Sequence, residues 1–171
     1  SATYYSDLNT SVVNGNVDGA VYPYPAVFVH KPGFDPIEGN WFSPYGPVWD
    51  STHDGNFSAN AEWIWESYEV VNPHLGDVIE LEREFNIPGT PDGGSLKIAC
   101  DNGAAVYVNG TLVGSFNLFL YPNLGNLTQT YVNTTDWQTL RTYDLTSYLV
   151  TGTNTLKVVA VNEYMAPDDG N

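Results

Sequence analysis

The chain has 171 residues, of which 42% are apolar, and it carries 20 acidic against 5 Lys or Arg side chains for a net charge of −15. That balance makes nucleic acid and anionic membrane surfaces poor partners, because phosphate binding needs a basic face. No apolar run is long enough to span a bilayer, so no membrane insertion is expected; the length and composition suit one globular domain over residues 1–171.

Residues 1–25 are polar and Tyr-rich, with turns at Asn14-Gly15-Asn16 and Asp18-Gly19. Tyr22-Pro23-Tyr24-Pro25 breaks any helix. The segment reads as an irregular wrap or as a strand that pairs elsewhere. A short strand, AVFVH, follows at residues 26–30. Residues 31–60 are rich in Pro, Gly and aromatic side chains. A loop this long inside a compact domain usually has a job, as a covering flap or as a site.

Residues 62–71, EWIWESYEVV, alternate with period two, so Trp63 and Trp65 share one face and Ile64 and Glu66 the other. Residues 78–87 repeat the pattern, with Ile79, Leu81 and Phe85 inward and Glu80, Glu82 and Glu84 outward. Residues 96–115, LKIACDNGAAVYVNGTLVGS, read as two or three strands. Asn109-Gly110 is a strong hairpin signal, since a two-residue type I′ turn needs positive φ at both positions. Residues 116–136 form a second long loop, linked to a segment at 139–143. A last strand is expected at residues 155–161, TLKVVAV. No stretch holds a 3.6-residue period, so little helix is expected.

The hairpin VYVNGTLVGS, followed by YDLTSYLVTGTNTLKVVAVNE, resembles the galactose-binding-domain-like jelly roll. It is most similar to the sugar-binding sandwich of β-galactosidase-type enzymes, over about residues 78–163. The resemblance implies an all-β, antiparallel jelly-roll β-sandwich with long aromatic-rich loops; it says much less about role, because that fold serves glycan binding, adhesion and scaffolding alike. In that family a further strand normally follows the position of residues 158–161, and here the chain ends soon after. An early strand of the same chain, a strand from a neighbouring subunit, or residues beyond those given would complete the sheet.

Catalysis has little support. The sequence has no Gly-x-Ser-x-Gly, His-Glu-x-x-His, Cys-x-x-Cys or phosphate loop. His30, His53 and His74 are isolated, and Glu80, Glu82 and Glu84 read as a solvated strand face. Cys100 stands alone and alternates with Leu96 and Ile98, which reads as a core residue. Enzymatic activity is therefore not expected.

Three kinds of site remain. Asp50, Asp54 and Asn56 place hard oxygen ligands around a Gly turn, as calcium requires. The resemblance adds a similar calcium loop, though Ala59-Asn60 stands where that family usually carries Thr; an ordinary Asx-rich turn is the alternative. Trp41, Tyr45, Trp49 and Tyr121 sit in the long loops and could stack on pyranose rings, or fold down over the sandwich. With no basic residue among them, acidic sugars are disfavoured. Sequons occur at Asn9, Asn56, Asn109, Asn126 and Asn133, where roughly two or three would arise by chance.

The sequons, the acidity and the Ser-Ala-Thr opening, which fits a mature end after signal cleavage, point to an extracellular or cell-surface protein. The leading expectation is a non-catalytic structural or adhesive subunit that self-associates into a sheath, filament or surface array. The alternative is a carbohydrate-binding module for neutral glycans. A capsid or spike protein is a third reading.

Overall fold

The computed structural model describes residues 1–28, 64–67, 77–100, 103–116, 119–120, 127–128 and 140–162. They form twelve strands: β1 (Ser11–Asn14), β2 (Tyr24–Pro25), β3 (Val27–Phe28), β4 (Ile64–Trp65), β5 (Asp77–Ile87), β6 (Ser95–Ile98), β7 (Gly103–Val108), β8 (Thr111–Phe116), β9 (Phe119–Leu120), β10 (Leu127–Thr128), β11 (Arg141–Asp144) and β12 (Gly152–Asn162). One 3₁₀ turn, Thr146–Tyr148, is the helical element among the described residues that follow β11. The protein is all-β, and its pairings are antiparallel.

Six strands form the main sheet in the order β2-β1-β5-β12-β7-β8. Its backbone is the β5–β12 ladder, eleven successive pairs from Gly152 opposite Ile87 to Asn162 opposite Asp77. β1 pairs on the other side of β5. An early strand of the same chain is thus part of the main sheet, whose end strands are β2 and β8. The expected alternation in β5 holds. Ile79 and Leu81 are buried, while Glu80 and Glu82 reach Lys157 across the sheet at 3.0 and 3.8 Å.

One face of the sheet carries Val12, Ile79, Leu81, Val158, Ala160, Ala104 and Phe116. Over it lie Ile98 of β6 and Tyr143 of β11, whose strands pair with each other, and Ile64 and Trp65 of β4. These short pairs are the second layer of the sandwich. Gly114 makes their approach possible: a Cβ there would stand 2.5 Å from Cε1 of Tyr143. Cys100 belongs to this core, as expected, and its thiol donates to the Gly103 carbonyl at 3.2 Å.

The opposite face is buried as well around Ala105, Tyr107, Val159 and Val161. All six β7 residues are consequently buried. A strand covered on both faces needs small or β-branched side chains, and Gly103, Ala104, Ala105, Val106 and Val108 supply them.

The hairpin turn is as expected, with φ of 51° at Asn109 and 82° at Gly110. Its side chain does more than the sequence implied. The Asn109 amide nitrogen donates to Tyr148 O at 3.0 Å and to Asn154 Oδ1 at 2.9 Å, and its oxygen accepts from Thr155 N. Asn154 is fully buried. It accepts from Val150 N and donates to the carbonyls of Val150 and Gly152. Two side-chain amides therefore fix the entry to β12 against the β7–β8 hairpin.

Other expectations shift. The strand expected over 62–71 is described only as β4, and the chain bends at Glu66 and Ser67. The long loop after Phe116 includes a small ladder, with Leu120 opposite Leu127 and Phe119 opposite Thr128.

Two substitutions test these packing arguments. Asn154→Ala removes the partners of three part-buried backbone groups and of the Asn109 amide, and should lower unfolding free energy by roughly 1 to 3 kcal/mol in denaturant titrations. Gly114→Ala forces a methyl against the Tyr143 ring and should cost about 1 to 3 kcal/mol. A Tyr143→Ala background should remove most of that second penalty; a fully additive pair would show that the two residues do not press on each other.

Candidate functional site

Of the residues singled out in the sequence, Trp41, Tyr45, Trp49 and Tyr121 lie outside the described residues. So do the calcium candidates Asp50, Asp54 and Asn56, and the sequons at Asn56, Asn126 and Asn133. The structure describes the two strands that flank the aromatic-rich segment in sequence.

β3 ends at residue 28 and β4 begins at residue 64, yet the two pair, with Val27 opposite Trp65 and Phe28 opposite Ile64. Residues 28 and 64, the described residues on either side of that segment, are therefore neighbours. Beside that junction Tyr22 and Tyr24 stack, with ring centroids 5.7 Å apart and planes at 26°. Both rings are half-buried and, with Trp65, lean on the main core.

Glu66 holds this corner together. It is 7% exposed. Its Oε2 accepts the Asn16 backbone N–H, and its Oε1 accepts from the Asn16 side-chain amide at 3.4 Å. That amide also donates to Val78 O at 3.2 Å, and the Tyr24 hydroxyl donates to the Glu66 carbonyl at 2.9 Å. Gly15 is required by this approach, because a Cβ there would run into Oε2 of Glu66. Burial, then the negative charge of Glu66, then Tyr22 push the Tyr24 phenol above its usual 10. Tyr24 is therefore a neutral donor across the physiological range.

The sequence did not identify Glu66 as a central residue. Period-two alternation places it on the face of Ile64, opposite Trp65, but the bend after β4 turns its carboxylate toward residues 15 and 16. The clue was present in Asn14-Gly15-Asn16, a turn whose backbone N–H groups need acceptors.

The hydroxyl of Tyr24 and the amide of Asn16 are already engaged within this cluster, which suits it to hold its surroundings in place. Hydrolysis of a glycosidic bond typically uses two carboxylates, and this cluster as described contains one.

Two of the described arginines, Arg83 and Arg141, are engaged with carboxylates or rings. Arg83 Nη1 meets Asp7 Oδ1 at 2.6 Å and Tyr5 O at 2.9 Å. Its guanidinium lies 5.1 Å from the centre of the Tyr4 ring. Arg141 lies 4.0 Å from the centre of the Phe116 ring. Burial pushes the Asp7 carboxyl up, but hydrogen bonds from Asn9 and Arg83 outweigh it and hold the group below 3.8.

No family model matches the sequence, and no curated protein matches it. Several solved structures show partial similarity, three of them as follows. The Streptomyces avermitilis α-L-rhamnosidase complexed with L-rhamnose is 26% identical over 53% of this chain, with a TM-score of 0.39. The Bifidobacterium dentium β-glucuronidase complexed with coumarin-3-O-glucuronide is 23% identical over 53% of this chain, at 0.34. The FMN-binding β-glucuronidase from Facaelibacterium prausnitzii is 17% identical over 94%, at 0.40. The chain spans 7, 12 and 18% of the length of these enzymes.

The Asp7–Arg83 pair predicts a specific pH dependence. A carboxyl held below its unfolded value stabilises the fold above that value, and the contribution fades as pH falls through the lower folded value. Asp7→Asn should thus narrow the stability gap to the parent protein as pH drops below about 4. A gap that stays constant from pH 6 to pH 2.5 would remove the ion pair as its source.

Proposed function

We propose that this chain is a non-catalytic carbohydrate-binding module of an extracellular or cell-surface protein, with neutral glycans as ligands. The observation that carries the reading is the junction of β3 and β4. It gathers both ends of the aromatic-rich segment beside the stacked Tyr22–Tyr24 pair and the Asn16–Glu66 cluster. In this reading Trp41, Tyr45, Trp49 and Tyr121 supply the stacking faces. The resemblance to the galactose-binding-like jelly roll, carried by the Asn109-Gly110 hairpin and the strand entered at Gly152, supports the same class.

Neutral ligands follow from charge. The protein has net charge −15 and 5 cationic side chains, and Arg83 and Lys157 are paired within the sheet. An acidic sugar would approach a repulsive surface without a free cation partner in the described cluster.

The self-associating surface subunit is the weaker reading. Its motives are the acidic sequon-bearing composition, the aromatic-rich N-terminal segment and a missing last strand; the N-terminal residues supply β1 and β2 to the main sheet of the same chain, which leaves less of that segment for donation.

A glycan array read with the intact protein, followed by calorimetry on the best ligand, tests the proposal. Trp49→Ala and Tyr121→Ala should each weaken binding about tenfold, the factor that 1.4 kcal/mol makes at 25 °C. Affinity unchanged in both variants would remove these rings from the site. Light scattering should give a monomer of 18.8 kDa; large regular polymers would restore the assembly reading.

A further inference from the structure

Two of the five sequons, Asn9 and Asn109, fall in the described residues, and both residues are exposed. Exposure alone would treat them alike. Their hydrogen bonds do not.

N-glycosylation joins the amide nitrogen to the anomeric carbon of a sugar carried on a lipid diphosphate. The sugar–phosphate bond breaks, the lipid diphosphate leaves, and the nitrogen gives up one of its two protons. The product is a secondary amide with one N–H, and a ring now stands where the other proton was. An Asn that uses at most one amide proton can accept this change. An Asn that uses both cannot accept it without breaking a bond and displacing the acceptor.

Asn109 uses both. Its Nδ2 donates to Tyr148 O at 3.0 Å and to Asn154 Oδ1 at 2.9 Å. The second acceptor belongs to a fully buried residue that is itself tied to Val150 and Gly152. A sugar carbon bonded to Nδ2 would occupy the space now held by the Tyr148 carbonyl or the Asn154 amide. The Asn109 oxygen is also engaged, by Thr155 N at 2.9 Å, so the amide cannot rotate out and keep its contacts.

Asn9 differs. It sits in the exposed turn before β1, and its backbone N–H, not its side chain, makes the 2.8 Å bond to Asp7 Oδ1. Its side-chain amide adds a lesser pull on the same carboxylate, which a secondary amide retains through its remaining proton. Ser11, the third residue of this sequon, is the first residue of β1 and is half-buried.

We infer that Asn9 is a glycan attachment site of the folded protein and that Asn109, despite its sequon and exposed position, is a closed one. A glycan at Asn9 stands at the start of β1, next to the β2 edge of the main sheet, where a bulky hydrophilic group hinders pairing with another chain.

The test is secretion of the full chain from a glycosylating host, isolation of the folded monomer and peptide mass mapping after enzymatic deglycosylation in heavy-oxygen water. The expected result is a mass shift at Asn9 and none at Asn109. Ser11→Ala should abolish the shift at Asn9, and Thr111→Ala should leave the glycan content unchanged. A shifted Asn109 peptide in folded monomer would overturn the closed assignment, and an unshifted Asn9 peptide would overturn the open one. Asn109→Gln made in a host without glycosylation separates structure from modification. It should lower the melting temperature although no glycan is lost; an unchanged melting temperature would show that the amide bonds do not hold the turn.

Discussion

Eleven paired residues between β5 and β12 determine the rest of the architecture. β1 attaches to one of these strands and β7 to the other, and β8 follows β7 through the hairpin. A slip of one residue would turn Ile79, Leu81, Val158 and Ala160 to the wrong face. The register is secured by the amide bonds of Asn154 at the β12 entrance, where Gly152 adopts φ of 90° and turns the chain into the strand. Asn109 carries the same constraint to the neighbouring hairpin. A local polar network thus sets a long-range apolar arrangement.

The surface follows a second constraint. With 20 acidic groups and few cations, the chain uses Arg83 and Lys157 at places where strands or termini must be joined. Arg83 gathers residues 4–7 onto β5, and Lys157 bridges β12 to β5. Half-exposed pairs of this kind contribute little each. Their role is positional: they decide where the N-terminal segment lies, while the remaining acidic groups keep the surface repulsive to anions.

Much of this was legible in the sequence because it depends on neighbours a few residues apart. Asn109-Gly110 specifies its own turn, and the alternation of Ile79 and Leu81 with Glu80 and Glu82 reports one buried face. Gly114 and Glu66 were not legible, since each derives its meaning from a residue far along the chain: Tyr143 for one, and Asn16 for the other. The burial of both faces at β7 was equally hidden, although its run of small residues fits such a position. The aromatic rings of residues 31–60 were visible as composition, whereas the pairing of Val27 with Trp65 across that segment was not.

The β5–β12 ladder also has a consequence for synthesis. Residues 88–151 lie between the two strands, so β5 is complete 64 residues before its principal partner begins. At about 5 to 20 residues per second, that interval is about 3 to 13 s. Among the described strands, only β1 pairs with β5 and is already made when β5 emerges. The short N-terminal strand can therefore act as a temporary chaperone in cis, covering one side of β5 while the ribosome finishes the strand destined for the other.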